Sequence, residues 1–329
     1  MLRQFRQYRF LVMSSFASLI TLFSFLGLSS AQPTYATLQA TEAATAPAVQ
    51  GDPVRGQYLV QVAGCAGCHG SPKLATDKGV PLAGGNVFRG PLGSFTARNL
   101  TTLQDWTFKE FDQALRQGIE PYTQKVLAPI MPYGVFRNLS DSDVASIGEY
   151  LKSLTPVVND NMAPSKPNDG YKALKPLPAV SIPDLKIDDS AAYGAYLVNA
   201  VATCGSCHNP HDKTGAVIKG DELTGGTRSF GPPEQPRVAP SIIGAALTAH
   251  GFSEENFAAM MHLGIRPQGV ALAGSMPWRR FSHMTDSDLA AMWNYLQTLT
   301  IASPLPVQTA PPATQAATSA ATTVATQAP

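Results

Sequence analysis

Apolar residues recur at helical steps in two separated stretches of the chain, and the two stretches match. Val144, Ile147, Leu151 and Leu154 follow at steps of three, four and three, and Leu289, Met292, Leu296 and Leu299 repeat those steps. Such spacing lays an apolar stripe along one helix face. Each stripe has the same start signal, Ser140 with Asp143 and Thr285 with Asp288, a capping hydroxyl with an acidic residue three positions on. Upstream, Thr107 and Glu110 form a capping-box pattern, followed by Phe108, Phe111, Leu115 and Ile119 at steps of three, four and four. Phe252-Ser253 opens a second version, with Phe257, Met261 and Ile265 four apart. Both run into Gly-Ile, at Gly118-Ile119 and Gly264-Ile265, where glycine can end a helix. Strand-like alternation is sparse, so the pattern predicts an all-α protein built twice.

The repeat extends further. Gly56-x-Tyr58-Leu59-Val60 matches Gly194-x-Tyr196-Leu197-Val198, and Gly84-Gly85 matches Gly225-Gly226. These correspondences bound a first helical domain at 51–160 and a second at 186–301. Between them, 161–185 carries Pro164, Pro167, Pro176, Pro178 and Pro183, which oppose regular helix and favour an extended connector. Residues 32–50 read as a flexible spacer and 302–329, rich in Ala, Thr and Pro, as a disordered tail.

The N-terminal 31 residues have the form of an export signal. Arg3, Arg6 and Arg9 precede a charge-free apolar stretch over 10–28, and Ser29-Ser30-Ala31 offers small residues for cleavage. The same 19 residues are long enough to remain as a membrane tether, although their serines and Thr21 favour cleavage after Ala31. Either outcome places the rest of the chain in the periplasm or on the extracytoplasmic face of a membrane. Formal charge is close to neutral, at +1, with no run of like charge, which gives no basis for nucleic-acid binding.

The chemistry lies in one pattern that occurs once in each half: Cys65-Ala66-Gly67-Cys68-His69 and Cys204-Gly205-Ser206-Cys207-His208. Cys-x-x-Cys-His is the attachment pattern of c-type haem. On a helical turn the two thiols share a face and reach the vinyl groups of one porphyrin, while the imidazole points at its iron. The four cysteines of the chain are all used this way, predicting two covalent haems with His69 and His208 as iron ligands. A single zinc would need its cysteine pairs closer in sequence. A thioredoxin-type site would need one motif in an alternating strand and helix context.

The sixth iron position follows from the alignment. Met131 is the one methionine of the first half ahead of the connector, and Pro132 beside it favours presentation from a loop. Met276-Pro277 lies at the matching place in the second half, where His250 and His262 are the main competitors. Met261 and Met292 fall in helical stripes and read as core. A Met/His pair raises the potential of haem iron and leaves no vacant position for substrate.

These residues resemble the class I c-type cytochromes, particularly the dihaem and trihaem subunits of periplasmic dehydrogenases of alcohols, aldehydes, gluconate and N-heterocycles. The resemblance rests on Cys65 to His69, Gly84-Gly85, Arg98-Asn99-Leu100-Thr101, Trp106, Arg116-Gln117-Gly118, Met131-Pro132-Tyr133 and Leu139-Ser140-Asp141. In the second half Pro240-Ser241-Ile242 departs from the Asn-Leu-Thr segment, Gly231-Pro232-Pro233 is differently spaced, and the chain has two motifs where such subunits often have three. The resemblance implies two tandem cytochrome c domains, each a small helical bundle around one covalent haem. It further implies single-electron transfer between a dehydrogenase or quinol-oxidising complex and a downstream cytochrome or terminal oxidase, rather than catalysis by this chain. The alternative is a dihaem peroxidase or thiosulfate-oxidising enzyme, which needs a displaceable ligand on one haem.

Overall fold

The computed structural model describes residues 49–300 apart from 189, 214 and 231–235. The export segment, most of the spacer and the Ala/Thr/Pro tail lie outside the described residues.

Each half is organised around a crossing of its first and last long helices. In the first half α1 (Pro53–Val62) is capped by the Asp52 carboxylate and packs on α5 (Asp141–Ser153), which starts at Ser140. In the second half α6 (Ala191–Tyr196), extended by a π-helical turn at Leu197–Val201, packs on α11 (Asp286–Thr298), which starts at Thr285. The Ser140 and Thr285 hydroxyls accept from the backbones of Asp143 and Asp288, at 3.2 and 3.1 Å. Both final helices are 13 residues long, and their expected stripes are buried at Val144, Ile147, Leu151, Leu289, Met292 and Leu296. Leu154 and Leu299 close the stripes half-buried. The crossings are tight because Gly56 and Gly194 lie against the opposing backbone: a Cβ on either would run into the carbonyl of Ser146 or Ala291.

The middle helices end as their sequences predict. Helix α3 (Phe108–Asp112) starts at Thr107, whose N–H donates to Glu110 at 2.8 Å. It continues through a π-helical turn, Gln113–Gln117, to Gly118 at φ 71°. Its counterpart α9 (Glu254–Leu263) starts at Ser253 and stops at Gly264, also at φ 71°. The haem motifs form the short helices α2 (Cys65–His69) and α7 (Gly205–His208). The segments that follow Met131 and Met276 form α4 (Tyr133–Phe136) and α10 (Trp278–Phe281), and α8 (Gly244–Ala249) precedes α9.

The all-α expectation needs one correction, because short antiparallel ribbons accompany the helices. Strands β1 (Val87–Gly90) and β2 (Gly93–Thr96) pair with Val87 opposite Thr96. Strands β3 (Ile119–Glu120) and β4 (Lys125–Val126) pair with Ile119 opposite Val126. In the second half β6 (Ser229–Phe230) pairs with β7 (Arg237–Val238). Strands of two to four residues have no room for a legible alternation. The proline-rich connector is extended as expected, and it straps the first half: β5 (Lys166–Pro167) adds to β2. Farther along, the Leu177 N–H donates to the Gln117 carbonyl at 2.9 Å, and the Asp141 N–H to the Ile182 carbonyl at 2.9 Å.

The halves share one contiguous core cluster and exchange equivalent hydrogen bonds. The Tyr196 hydroxyl donates to Asp143 at 2.6 Å and accepts from the Ser140 N–H at 3.1 Å. Tyr58, its counterpart, donates to Asp288 and accepts from the Thr285 N–H at 3.4 Å. Each half therefore supplies a tyrosine to the N-terminal turn of the other half's last helix. Arg55 adds a bidentate pair with Asp143, both bonds 3.0 Å.

Candidate haem sites

The two motif histidines are held in the same way. In the first half a backbone bond from Gly84 to the His69 carbonyl, 2.8 Å, and one from Gly85 to Ala97, 2.9 Å, join the open end of the β1–β2 ribbon to the motif. The segment leaving β2 brings the Arg98 carbonyl to 2.8 Å from His69 Nδ1. In the second half Gly225 bonds the His208 carbonyl at 3.0 Å and Gly226 bonds Ala239 at 2.9 Å, and the Pro240 carbonyl stands 2.7 Å from His208 Nδ1. A carbonyl only accepts, so Nδ1 carries the proton in each ring and Nε2 keeps its lone pair. Burial lowers the pKa of both imidazoles, against an upward pull from the accepting carbonyl. Neutral imidazole with a fixed tautomer and a free Nε2 is what an iron ligand requires.

Asn99 secures the Arg98 carbonyl from behind. Its side chain accepts from the Thr101 N–H at 2.9 Å and donates to the Val157 carbonyl at 2.8 Å, while Thr101 Oγ1 accepts from Val157 N–H at 2.9 Å. The Arg98 side chain turns the other way, between the rings of Trp106 and Tyr122, both 5.2 Å away, and pairs with Glu120 at 2.5 Å. The Arg98 to Thr101 segment therefore meets the histidine through its backbone. Pro240, which shares no side-chain chemistry with Arg98, does the same in the second half.

None of the four cysteines is paired in a disulfide. Burial pushes Cys65 and Cys204 up to about 11 and raises Cys68 as well, so these thiols are neutral rather than thiolate. Among the described residues no group of three or more His, Cys, Asp or Glu side chains is arranged to hold a metal ion unaided.

Met131 and Met276 occupy matching loops. From the end of each middle helix the chain turns back, with Leu127 N–H donating to the Gly118 carbonyl at 2.7 Å and Leu272 to Gly264 at 2.8 Å. The methionine N–H groups bond Ala128 and Ala273 at 3.0 and 2.9 Å, and the methionine carbonyls accept from Tyr133 and Trp278, both at 2.8 Å. Pro132 and Pro277 then take nearly identical conformations, φ −81°, ψ 47° and φ −82°, ψ 52°. Both methionines are half-buried against the core. The glycines that end the middle helices serve this loop too: a Cβ at Gly118 would stand 2.6 Å from the Tyr133 ring, and one at Gly264 would enter the Trp278 ring.

The histidine competitors are placed elsewhere. Both ring nitrogens of His262 are taken, Nδ1 3.1 Å from the Ser282 carbonyl and Nε2 3.0 Å from Asp286. Its counterpart in the first half is Arg116, buried and bonded to Asp112, to Asp141 at 2.5 Å and to the Leu139 carbonyl at 3.2 Å. His262 thus stands at a position that ties the middle helix to the last one. His250 is exposed at the end of α8.

A haem fits this donor set. Each half offers two adjacent thiols, an oriented neutral imidazole and a thioether. The Tyr133 hydroxyl and the Ser241 hydroxyl are buried without a hydrogen-bond partner, leaving a donor in each half for a further polar group. The residues that would hold it are Cys65, Cys68, His69 and Met131 in the first half, and Cys204, Cys207, His208 and Met276 in the second.

Residues 53–155 match the cytochrome c family model. The chain is 29% identical over 265 residues to an alcohol dehydrogenase (quinone) cytochrome c subunit of Gluconobacter oxydans, covering 74% of this chain and 54% of that one. It is 27% identical over 267 residues to a diheme cytochrome c-type protein of Cereibacter sphaeroides, covering 75% and 86%. A fructose dehydrogenase cytochrome subunit of Gluconobacter japonicus is 28% identical over 293 residues, covering 79% and 55%. The chain spans little more than half the length of the two dehydrogenase subunits. Residues 53–155 are thus similar to cytochrome c domains, in a chain whose relatives include cytochrome c subunits of dehydrogenases and a diheme cytochrome.

Proposed function

We propose that the chain is a dihaem cytochrome c, two cytochrome c domains in tandem, that carries single electrons from a dehydrogenase or quinol-oxidising complex to another cytochrome or a terminal oxidase. The observation that carries this reading is the duplicate histidine setting: His69 on the Arg98 carbonyl and His208 on the Pro240 carbonyl. The second half keeps that backbone frame through a changed sequence, as a second haem would demand. Bound there, haem iron supplies a one-electron ferric/ferrous couple. The four cysteines would hold the porphyrin, and His69 with Met131 and His208 with Met276 would hold the irons, which would suit outer-sphere transfer through small transient contacts.

Haem counting tests the reading. The purified protein should contain two covalent haems per chain by pyridine haemochrome assay, and one after either C65S/C68S or C204S/C207S. A single haem in the unaltered protein overturns the dihaem assignment.

We also place the protein outside the cytoplasm, on the strength of Arg3, Arg6, Arg9 and the apolar 10–28 stretch. No helix among the described residues is long and apolar enough to cross a membrane. Mass spectrometry of the mature protein should find its first residue at Gln32; an intact N-terminus in the membrane fraction would instead show a retained tether.

A further inference from the structure

Arg280 lies at the junction of the two motifs. Its Nη1 donates to the Ala63 carbonyl at 2.9 Å, and its Nη2 to the Ala202 carbonyl at 2.8 Å and to Thr203 Oγ1 at 3.2 Å. Ala63 and Ala202 are the same position in the two halves, each two residues ahead of the first motif cysteine. The residues between, Gly64 and Thr203, share a left-handed backbone at φ 76° and 56°. The guanidinium fills the space beside Gly64, where a Cβ would stand 2.6 Å from Nη1, and lies 4.5 Å from the Phe281 ring centre.

Three further facts set this arginine apart. Its Nε is buried without a partner, and among the described residues no carboxylate pairs with the guanidinium. Burial lowers the pKa of its guanidinium. The repeat places Val135 at the corresponding position of the first half, so one cation serves both motifs. Its neighbour Arg279 is exposed and stacks on Trp278 at 4.9 Å.

We propose that Arg280 is a positioning residue shared by both haem sites, which ties the two attachment turns together and raises the reduction potential of both haems. The inference rests on the dihaem reading above. Ferric haem carries one more positive charge than ferrous haem, so a nearby cation with little water around it favours the reduced form. A cation that bonds the same residue in both halves lifts both potentials together and leaves their difference unchanged.

Spectroelectrochemical titration of the full chain, with haem content measured on the same sample, tests this. R280Q should retain two haems, which checks the dihaem reading separately. It should lower both potentials, each by about tenfold in the ferrous-to-ferric ratio at fixed ambient potential, or about 59 mV for a one-electron couple. R279Q should move neither. R280K keeps the charge but replaces the two separate donor nitrogens of the fork with one compact ammonium, which spans the two halves less well, so it should retain both potentials and lower the melting temperature. If R280Q fails to accumulate, R280K carries the test. A dihaem R280Q protein in which neither potential falls, or only one does, overturns the proposal, as does an R280K protein whose potentials drop or whose melting is unchanged.

Discussion

Met131→Ala is expected to leave two haems attached while lowering the reduction potential of one of them and leaving the other in place. The thioether bonds at Cys65 and Cys68 do not depend on the sixth ligand, so covalent haem content stays at two. The potential does depend on it, because thioether sulfur favours ferrous over ferric iron, and axial ligation spans roughly 0.8 V across haem proteins. A fall of a sizeable fraction of that range is the expected reading. The vacated position should also let the ferrous protein bind carbon monoxide at one haem. Met276→Ala should do the same to the other haem, since Met276 and Met131 share their backbone bonds and the proline that follows. His262→Gln is the informative control. Both nitrogens of that ring are engaged by Ser282 and Asp286, so its loss should loosen α9 against α11 without moving a potential. An unchanged titration in M131A would remove Met131 as ligand, and a potential that moves in H262Q would return the second haem to bis-histidine ligation.

The parts of this molecule legible in the sequence are those whose signal is local. Cys-x-x-Cys-His is complete in five residues, the capping residues Ser140 and Thr285 stand beside the helices they start, and Gly118 and Gly264 end helices through their own φ. The Met-Pro loops became legible by comparing the halves, because a shared offset to the final helix marks Met276 among the methionines of the second half. Backbone function was not legible. The acceptor for His69 is the carbonyl of an arginine and that for His208 the carbonyl of a proline, and a carbonyl leaves no mark on residue identity. The ribbons that carry those carbonyls are too short to alternate. Nor could spacing pair Tyr58 with Asp288, or Arg280 with Ala63, since those contacts join the halves. The tyrosines did appear in the repeat, in Gly-x-Tyr-Leu-Val, but as helix residues; their exchange of acidic partners needed the fold. The prolines of the connector favour an extended chain, but the hydrogen bonds that make it a strap were not legible in them, because their partners belong to β2, Gln117 and Asp141.

Gly194→Ala should be the most destabilising single methyl group that can be added to the second half. An alanine Cβ there would overlap the Ala291 carbonyl, with the Met292 nitrogen 3.0 Å away. The obstacle is main chain on both sides, so no rotamer change relieves it, and α6 must move off α11. That movement would open the stripe of Leu289, Met292 and Leu296, all nearly inaccessible to solvent. Overpacking of this kind costs about 1–3 kcal/mol and occasionally more, and the stiffness of the obstacle puts this case at the upper end. Alanine in place of helical glycine returns at most about 1 kcal/mol, leaving a net loss of about 2 kcal/mol. For a body of this size that is a fall of roughly 4–8 °C in melting temperature. Gly56→Ala should behave alike, since its Cβ would meet the Ser146 carbonyl. Gly134→Ala separates the steric cause from the chemical change: Gly134 is also helical, in α4, but a Cβ there meets nothing within 4 Å, so melting should hold steady or rise slightly. Equal melting temperatures for G194A and G134A would mean that the α6–α11 crossing is looser than drawn. The crossing also sets where the motif begins, because α6 and its π-helical turn run directly into Cys204. A G194A protein should therefore open around the second motif before the first as temperature rises, with both haems still attached, and limited proteolysis of the heated protein would read that order from which haem-bearing fragment is released first.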